Sequence, residues 1–206
     1  MNWKHCRGVY PAYISLGATC QTAYQLRRLG LRQSAGPLDW FLSYSVPHLS
    51  RLLRLQFKDF WKWENLRTVN IVQNHYVIQD TAYQIESYHD FPVPYDPRTL
   101  YPSFREKADR RTARFLRLIK EHPVCFVRIL TTSSEAYQLE RALNPIANKG
   151  FRLLIVNLHQ DASREISYDD WGIQRVASVT ISGGRDWRGF DPGWNRIMEG
   201  FKRAGV

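Results

Sequence analysis

The chain has 206 residues, a formal charge of +10 and 44% hydrophobic residues, a balance that fits one globular domain, 1–206, able to bury its own core. Seven Trp, eleven Tyr and ten Phe make it rich in aromatics, yet nowhere do about 20 apolar residues run together as a membrane span requires. Three cysteines without paired spacing suggest neither a disulfide framework nor a zinc site, and the first ten residues lack the apolar run of a secretory signal, so we expect a cytoplasmic protein with no cofactor and no metal.

Residues 1–12 read as a loose leader. Tyr13 to Leu16 is a short apolar strand that breaks at Gly17, and a helix follows with Ala23, Leu26 and Leu29 on one face. Thr19 suits its N-cap, and Gly30 suits the C′ position with Leu31 folding back. Cys20 therefore falls in the first helical turn, where unpaired N–H groups and the macrodipole favour a thiolate.

A turn from Ser34 leads to Asp39, Trp40 and Phe41. Val46 to Phe57 reads as a helix with Pro47 in its first turn, followed by an aromatic patch of Phe60, Trp61 and Trp63. Asn70 to Tyr88 alternates and predicts two or three short strands with a hairpin near Asp80-Thr81. His89 stands at their end, before Asp90, Phe91 and Pro92. Pro92 to Pro102 is a loop, and Ser103 to His122 an amphipathic helix. Then come a strand (Val124–Leu130), a helix begun by Thr131 to Ser134 and ending near Asn148, and a strand (Phe151–Leu158). This βαβ unit implies parallel strands. A strand (Val176–Ile181) and a last helix (Gly193–Arg203) complete the chain. The fold class expected is α/β, three-layer, with a mostly parallel central sheet and flanking helices.

The basic excess raises nucleic acid as a partner. Its densest cluster, Arg105 to Lys120, is however interleaved with Glu106, Asp109 and an apolar stripe of Ala108, Phe115, Leu118 and Ile119. That is the pattern of a solvated helix face. Nucleic acid and membranes are therefore not the expected partners, and the charge favours an acidic or phosphorylated substrate or carrier.

A thiol nucleophile needs a base within reach, a group to orient that base, and donors for an oxyanion. Cys20 supplies the sulfur, and Cys125 reads as a buried hydrophobe. His89, at a strand exit beside a proline loop, is the best base, with His159 the runner-up. Asp39 is the choice for orientation or electrostatic support, with Asp90 and Asn157 as other candidates for the orienting group. Asn157 lies at the C-terminal end of an expected parallel strand, where α/β proteins place site residues. Arg128, inside an apolar strand, needs a partner: it pairs with Asp39 or Asp90, or binds an anionic substrate. Trp40, Asp90, Arg128 and Asn157 are thus the expected substrate-binding residues. In the turn Trp187 to Trp194, Asp191 reads as the cap of the last helix. Two other readings stand beside this one. One is a transferase or hydrolase for sugars or phosphorylated groups, with an anion at the Gly17–Cys20 turn. The other is a non-catalytic binding module that uses Trp40, Trp61 and Trp63.

Taken together, Ile14-Ser-Leu-Gly17 with Cys20 and Ala23, then Gly36-Pro-Leu-Asp-Trp40, Ser87-Tyr-His-Asp-Phe91 and Phe126-Val-Arg128 resemble a bacterial family of unknown function described as papain-like cysteine peptidases. Leu38 stands where the family pattern has Phe. The resemblance implies a thiol-dependent hydrolase or acyl-transfer enzyme acting on an amide, ester or thioester of a peptide, acyl or other small acidic substrate, with Cys20 as nucleophile and His89 as base. It also implies an α+β papain-like fold, where the periodicity of the second half predicts α/β.

Overall fold

Two sheets of opposite character divide the chain in the structure, a computed structural model that describes residues 3–161 and 165–204. In chain order the elements are β1 (Val9–Tyr10), β2 (Ala12–Ser15), α1 (Gln21–Arg28), β3 (Phe41–Leu42), α2 (Val46–Arg54), β4 (Leu66–Val72), β5 (His75–Asp80), β6 (Ile85–Ser87) and α3 (Pro97–Glu121). They continue with β7 (Val124–Ile129), α4 (Ser133–Leu143), β8 (Phe151–His159), β9 (Ser167–Asp169), β10 (Val176–Ser182), α5 (Asp191–Ile197) and β11 (Lys202–Arg203).

The larger sheet has the order β2-β7-β8-β10-β9. Its first four strands run parallel and β9 pairs antiparallel at the edge. Every residue of β7 is buried, the mark of a strand covered on both faces. Its alternate side chains feed two cores. Val124 and Phe126 join Leu153 and Ile155 beneath α2, α3 and α4, while Cys125, Val127 and Ile129 join Leu154 and Val156 beneath α1 and α5.

The smaller sheet, β3-β6-β5-β4, is wholly antiparallel. The expectation is of one central sheet, mostly parallel, and does not include this second sheet: counting the two-residue β1–β11 pair, the described strands make four parallel and four antiparallel pairings. The molecule is a mixed α/β structure. β4 and β5 meet at Gln73 and Asn74, whose φ angles of 47° and 61° are those of a two-residue type I′ hairpin. The sequence has no Asn-Gly there to announce it.

Other expectations are also revised. From Trp3 on, the supposed leader is packed; residues 1 and 2 lie outside the described residues. Trp3 and Cys6 are buried, Trp3 Nε1 donates to the Ile197 carbonyl at 3.0 Å, and β1 pairs with β11. α3 starts six residues early, because Asp96 accepts from the Arg98 N–H at 2.8 Å and Pro97 fits the first turn. Trp61 is fully buried against Phe41, Phe60 and Phe104 and so belongs to no contact surface, whereas Trp40 and Trp63 are partly exposed. Among the described residues no helix is long and apolar enough to cross a membrane.

Candidate active site

Cys20 sits where β2 of the parallel sheet gives way to α1. Gly17 and Ala18 both take positive φ, 76° and 74°, and a Cβ on Gly17 would collide with Ser43 Oγ. That hydroxyl accepts from the Ala18 N–H at 3.0 Å. Behind the turn lies Arg128, fully buried in β7. Its Nη1 donates to the Leu16 carbonyl and its Nη2 to the Ser43 carbonyl, each at 2.6 Å. Arg128 thus ties the Cys20 turn to the segment after β3. Charge-assisted bonds of this kind are strong, and they replace the carboxylate partner that the sequence led us to expect. Arg128 pairs with neither Asp39 nor Asp90 and does not line the cavity at Cys20. Burial lowers its pKa to about 10.

The turn opens on a cavity of about 700 Å³ lined by Cys20, Trp40, Tyr44, Tyr88, His89, Asp90, Arg111 and Trp187, among others. Its size is ordinary for a small-ligand site. His89 reaches it just beyond β6. Next to it Asp90 is pinned: Ser87 Oγ donates to its Oδ2 at 2.6 Å and Lys107 ion-pairs with its Oδ1. Asp90 therefore lines the cavity without orienting His89. The His89 ring meets His75 edge to face at 6.4 Å, and no hydrogen bond joins Cys20 and His89.

Asp39 does not orient His89 either. It is buried, ion-paired with Arg32, and accepts from the Gly36 N–H at 2.9 Å. It faces a second, smaller cavity of about 110 Å³ on the far side of Arg111. Burial raises its pKa against the pull of Arg32. The next residue, Trp40, has φ 70°, uncommon for a bulky side chain. Its ring lies under Arg32 and Arg27, at 5.5 and 5.9 Å.

The thiol of Cys20 is not held ionised. Burial and, after it, the Asp39 carboxylate push its pKa up to about 11, opposed by its own backbone N–H. The expectation of a resting thiolate fails for two physical reasons. The helix behind Cys20 is only eight residues long, and the sulfur is half-buried and feels the carboxylate of Asp39.

Asn157 is also spoken for. Its Oδ1 accepts from the Thr131 N–H at 2.9 Å and its Nδ2 donates to the Thr131 carbonyl at 3.0 Å. It closes the loop after β7 and does not line the Cys20 cavity. His159, the second choice of base, has both ring nitrogens buried without partners. Asp191 begins α5 instead of capping it, and accepts from Gln25 Nε2 at 2.7 Å.

Four of the seven expected site residues, Cys20, Trp40, His89 and Asp90, thus share one cavity, and Asp39, Arg128 and Asn157 stand outside it. Sequence reasoning missed Tyr44, Arg111 and Trp187. Only Arg111 carried a signal, since it shares a helical face with Lys107 and Arg114, and that face reads as solvated. No group of three His, Cys, Asp or Glu is placed to hold a metal ion among the described residues.

A strand–turn–helix thus presents a cysteine to a cavity that a histidine also lines. The chain belongs to the family described as "Putative papain-like cysteine peptidase", whose model matches residues 11–161. That span holds Cys20, Trp40, His89, Asp90 and Arg111, but not Trp187. "Uncharacterized protein R408" of Acanthamoeba polyphaga mimivirus is 25% identical over 182 residues, 77% of this chain and 82% of the viral protein. With a viral relative at hand, the family likeness carries no restriction to bacteria. No solved structure matches the chain.

Proposed function

We propose that the protein is a cysteine-dependent hydrolase or acyl-transfer enzyme, with Cys20 as nucleophile and His89 as general base. One observation supports this above the others: Cys20, beyond β2 of one sheet, and His89, beyond β6 of the other, line one cavity with aromatic walls. The family description adds peptides as the substrate class.

Because the resting sulfur is protonated, attack and proton transfer go together. The Cys20 S–H proton passes to the His89 imidazole as Sγ bonds to the carbonyl carbon. The tetrahedral adduct then expels the amine, alcohol or thiol, which takes that proton from His89. A thioester on Cys20 remains, and water or a second nucleophile resolves it. The Cys20 backbone N–H, now directed at its own sulfur, becomes available to the oxyanion once Sγ moves onto the carbonyl. Asp39 keeps its place as electrostatic neighbour of the sulfur, acting from outside the cavity.

The test is alkylation of the native protein by iodoacetamide across pH, read by intact mass and peptide mapping. Labelling should fall on Cys20, since Cys6 and Cys125 are fully buried. Its rate should climb towards pH 11, the direction set by the raised thiol pKa. Labelling of Cys6 or Cys125 ahead of Cys20 would overturn the proposal.

A further inference from the structure

α3 presents a row of three cations to the site. Lys107, Arg111 and Arg114 follow at spacings of four and three, which puts them on one helical face. The outer two are engaged: Lys107 with Asp90, and Arg114, whose Nη2 donates to the Ala35 carbonyl at 2.6 Å. Arg111, between them, is half-buried and makes no hydrogen bond or ion pair among the described residues. It lines the Cys20 cavity on one side and the smaller cavity on the other.

Asp90 and Asp39 are the two carboxylates whose charge reaches Arg111, and each is already held by another cation, Lys107 and Arg32 respectively. Asp39 even keeps Oδ1 buried without a partner, and Arg111 does not take it. Withdrawing a guanidinium from water with no partner is costly, and burial lowers its pKa. Within the cavity Asp90 is paired with Lys107, so the planar fork of Arg111 is the charged group there without a direct partner among the described residues. Such a fork matches a carboxylate with two parallel hydrogen bonds.

We propose that Arg111 binds a carboxylate of the substrate, so that the Cys20 site selects acidic peptides or acyl chains. The acid group rests on α3 while the reacting carbonyl lies over Cys20, between Trp40 and Trp187. This inference rests on the cavity being the substrate site, as proposed above, and it is tested without turnover.

The experiment titrates the Cys20→Ala protein with a short blocked peptide carrying Glu, and with its Gln counterpart, following tryptophan fluorescence and calorimetry. The Glu peptide should bind roughly ten- to a hundredfold more tightly, the value of charge-assisted bonds to a buried fork. In Cys20→Ala/Arg111→Gln that preference should collapse while the affinity for the Gln peptide stays unchanged, and Arg111→Lys should restore part of it. Circular dichroism checks that each variant is folded. Equal binding of the two peptides, or a preference that survives Arg111→Gln, would overturn the assignment. So would a phosphoserine peptide that binds where the Glu peptide does not. Since Cys20 is absent throughout, failure here leaves the thiol chemistry standing, and failure of Cys20 labelling leaves this result standing.

Discussion

Neighbouring strands of the parallel sheet end in two turns of opposite character. Beyond the end of β7 the turn is closed by paired polar groups. Asn157 clamps Thr131 through both ends of its amide, and Thr132 and Glu135 form a full capping box at the start of α4. At the end of β2 the helix begins with Cys20 and no side-chain cap. Gln21 Nε2 and Thr22 Oγ1 are buried there without partners, and the turn is held from behind by Arg128 and Ser43. One strand-to-helix joint is closed for stability. The other is braced at a distance, which leaves its tip free to present a sulfur to a cavity.

Breaking the buried Arg32–Asp39 ion pair should cost most. Asp39→Asn leaves Arg32 charged and buried beside a neutral amide, a loss of about 3–5 kcal/mol, to be read from urea denaturation. The same substitution removes the charge that helps raise the thiol, so the midpoint of Cys20 alkylation should move below pH 11. Arg128→Met strips the Leu16 and Ser43 carbonyls of their donors. It should cost about 2 kcal/mol and blunt the selectivity of Cys20 labelling, since the turn is no longer tied. At the closed joint, Thr132→Ala should cost about 1 kcal/mol, an ordinary cap. Thr19→Ala, at the open joint, should stay within about 0.5 kcal/mol, because Thr19 Oγ1 only accepts a long 3.3 Å bond from Gln21 N–H.

A pH series sharpens the contrast further. The folded-state pKa of Cys20 lies above that of an unfolded thiol, so the stability it contributes is present below the unfolded value. It is lost as pH rises through about 11. Stability should therefore decline across that alkaline window in the native protein, and less so in Cys20→Ala.

The strand–Gly17–helix signal at Cys20 was legible because it is local: an apolar run, a glycine and a helical period in consecutive residues. The same holds for Gly30, whose N–H donates to the Arg27 carbonyl while Leu31 N–H donates to Leu26, the expected stop. What sequence could not show was which long-range partner each polar group finds. Arg128 takes backbone carbonyls instead of a carboxylate, and Asn157 takes a backbone amide instead of a substrate. Asp90 is claimed by Lys107 from a helix that begins seven residues later. The second sheet was legible in part: β5 and β6 fall within Asn70–Tyr88 and join just after Asp80, near the expected hairpin, whereas the turn at Gln73-Asn74 gave no signal and the exposed outer strand β4 alternates only weakly. Arg111 was read as one more solvated charge because helical period alone cannot tell which face looks into a cavity.

The central claim is that Cys20 attacks while His89 takes its proton, and acylation by p-nitrophenyl acetate under single-turnover conditions, read by intact mass, tests it most directly. The account predicts one acetyl group on Cys20, formed roughly a hundredfold or more slowly in His89→Gln and not at all in Cys20→Ala. Acylation at the same rate in His89→Gln, or an acetyl group that persists in Cys20→Ala, would contradict it.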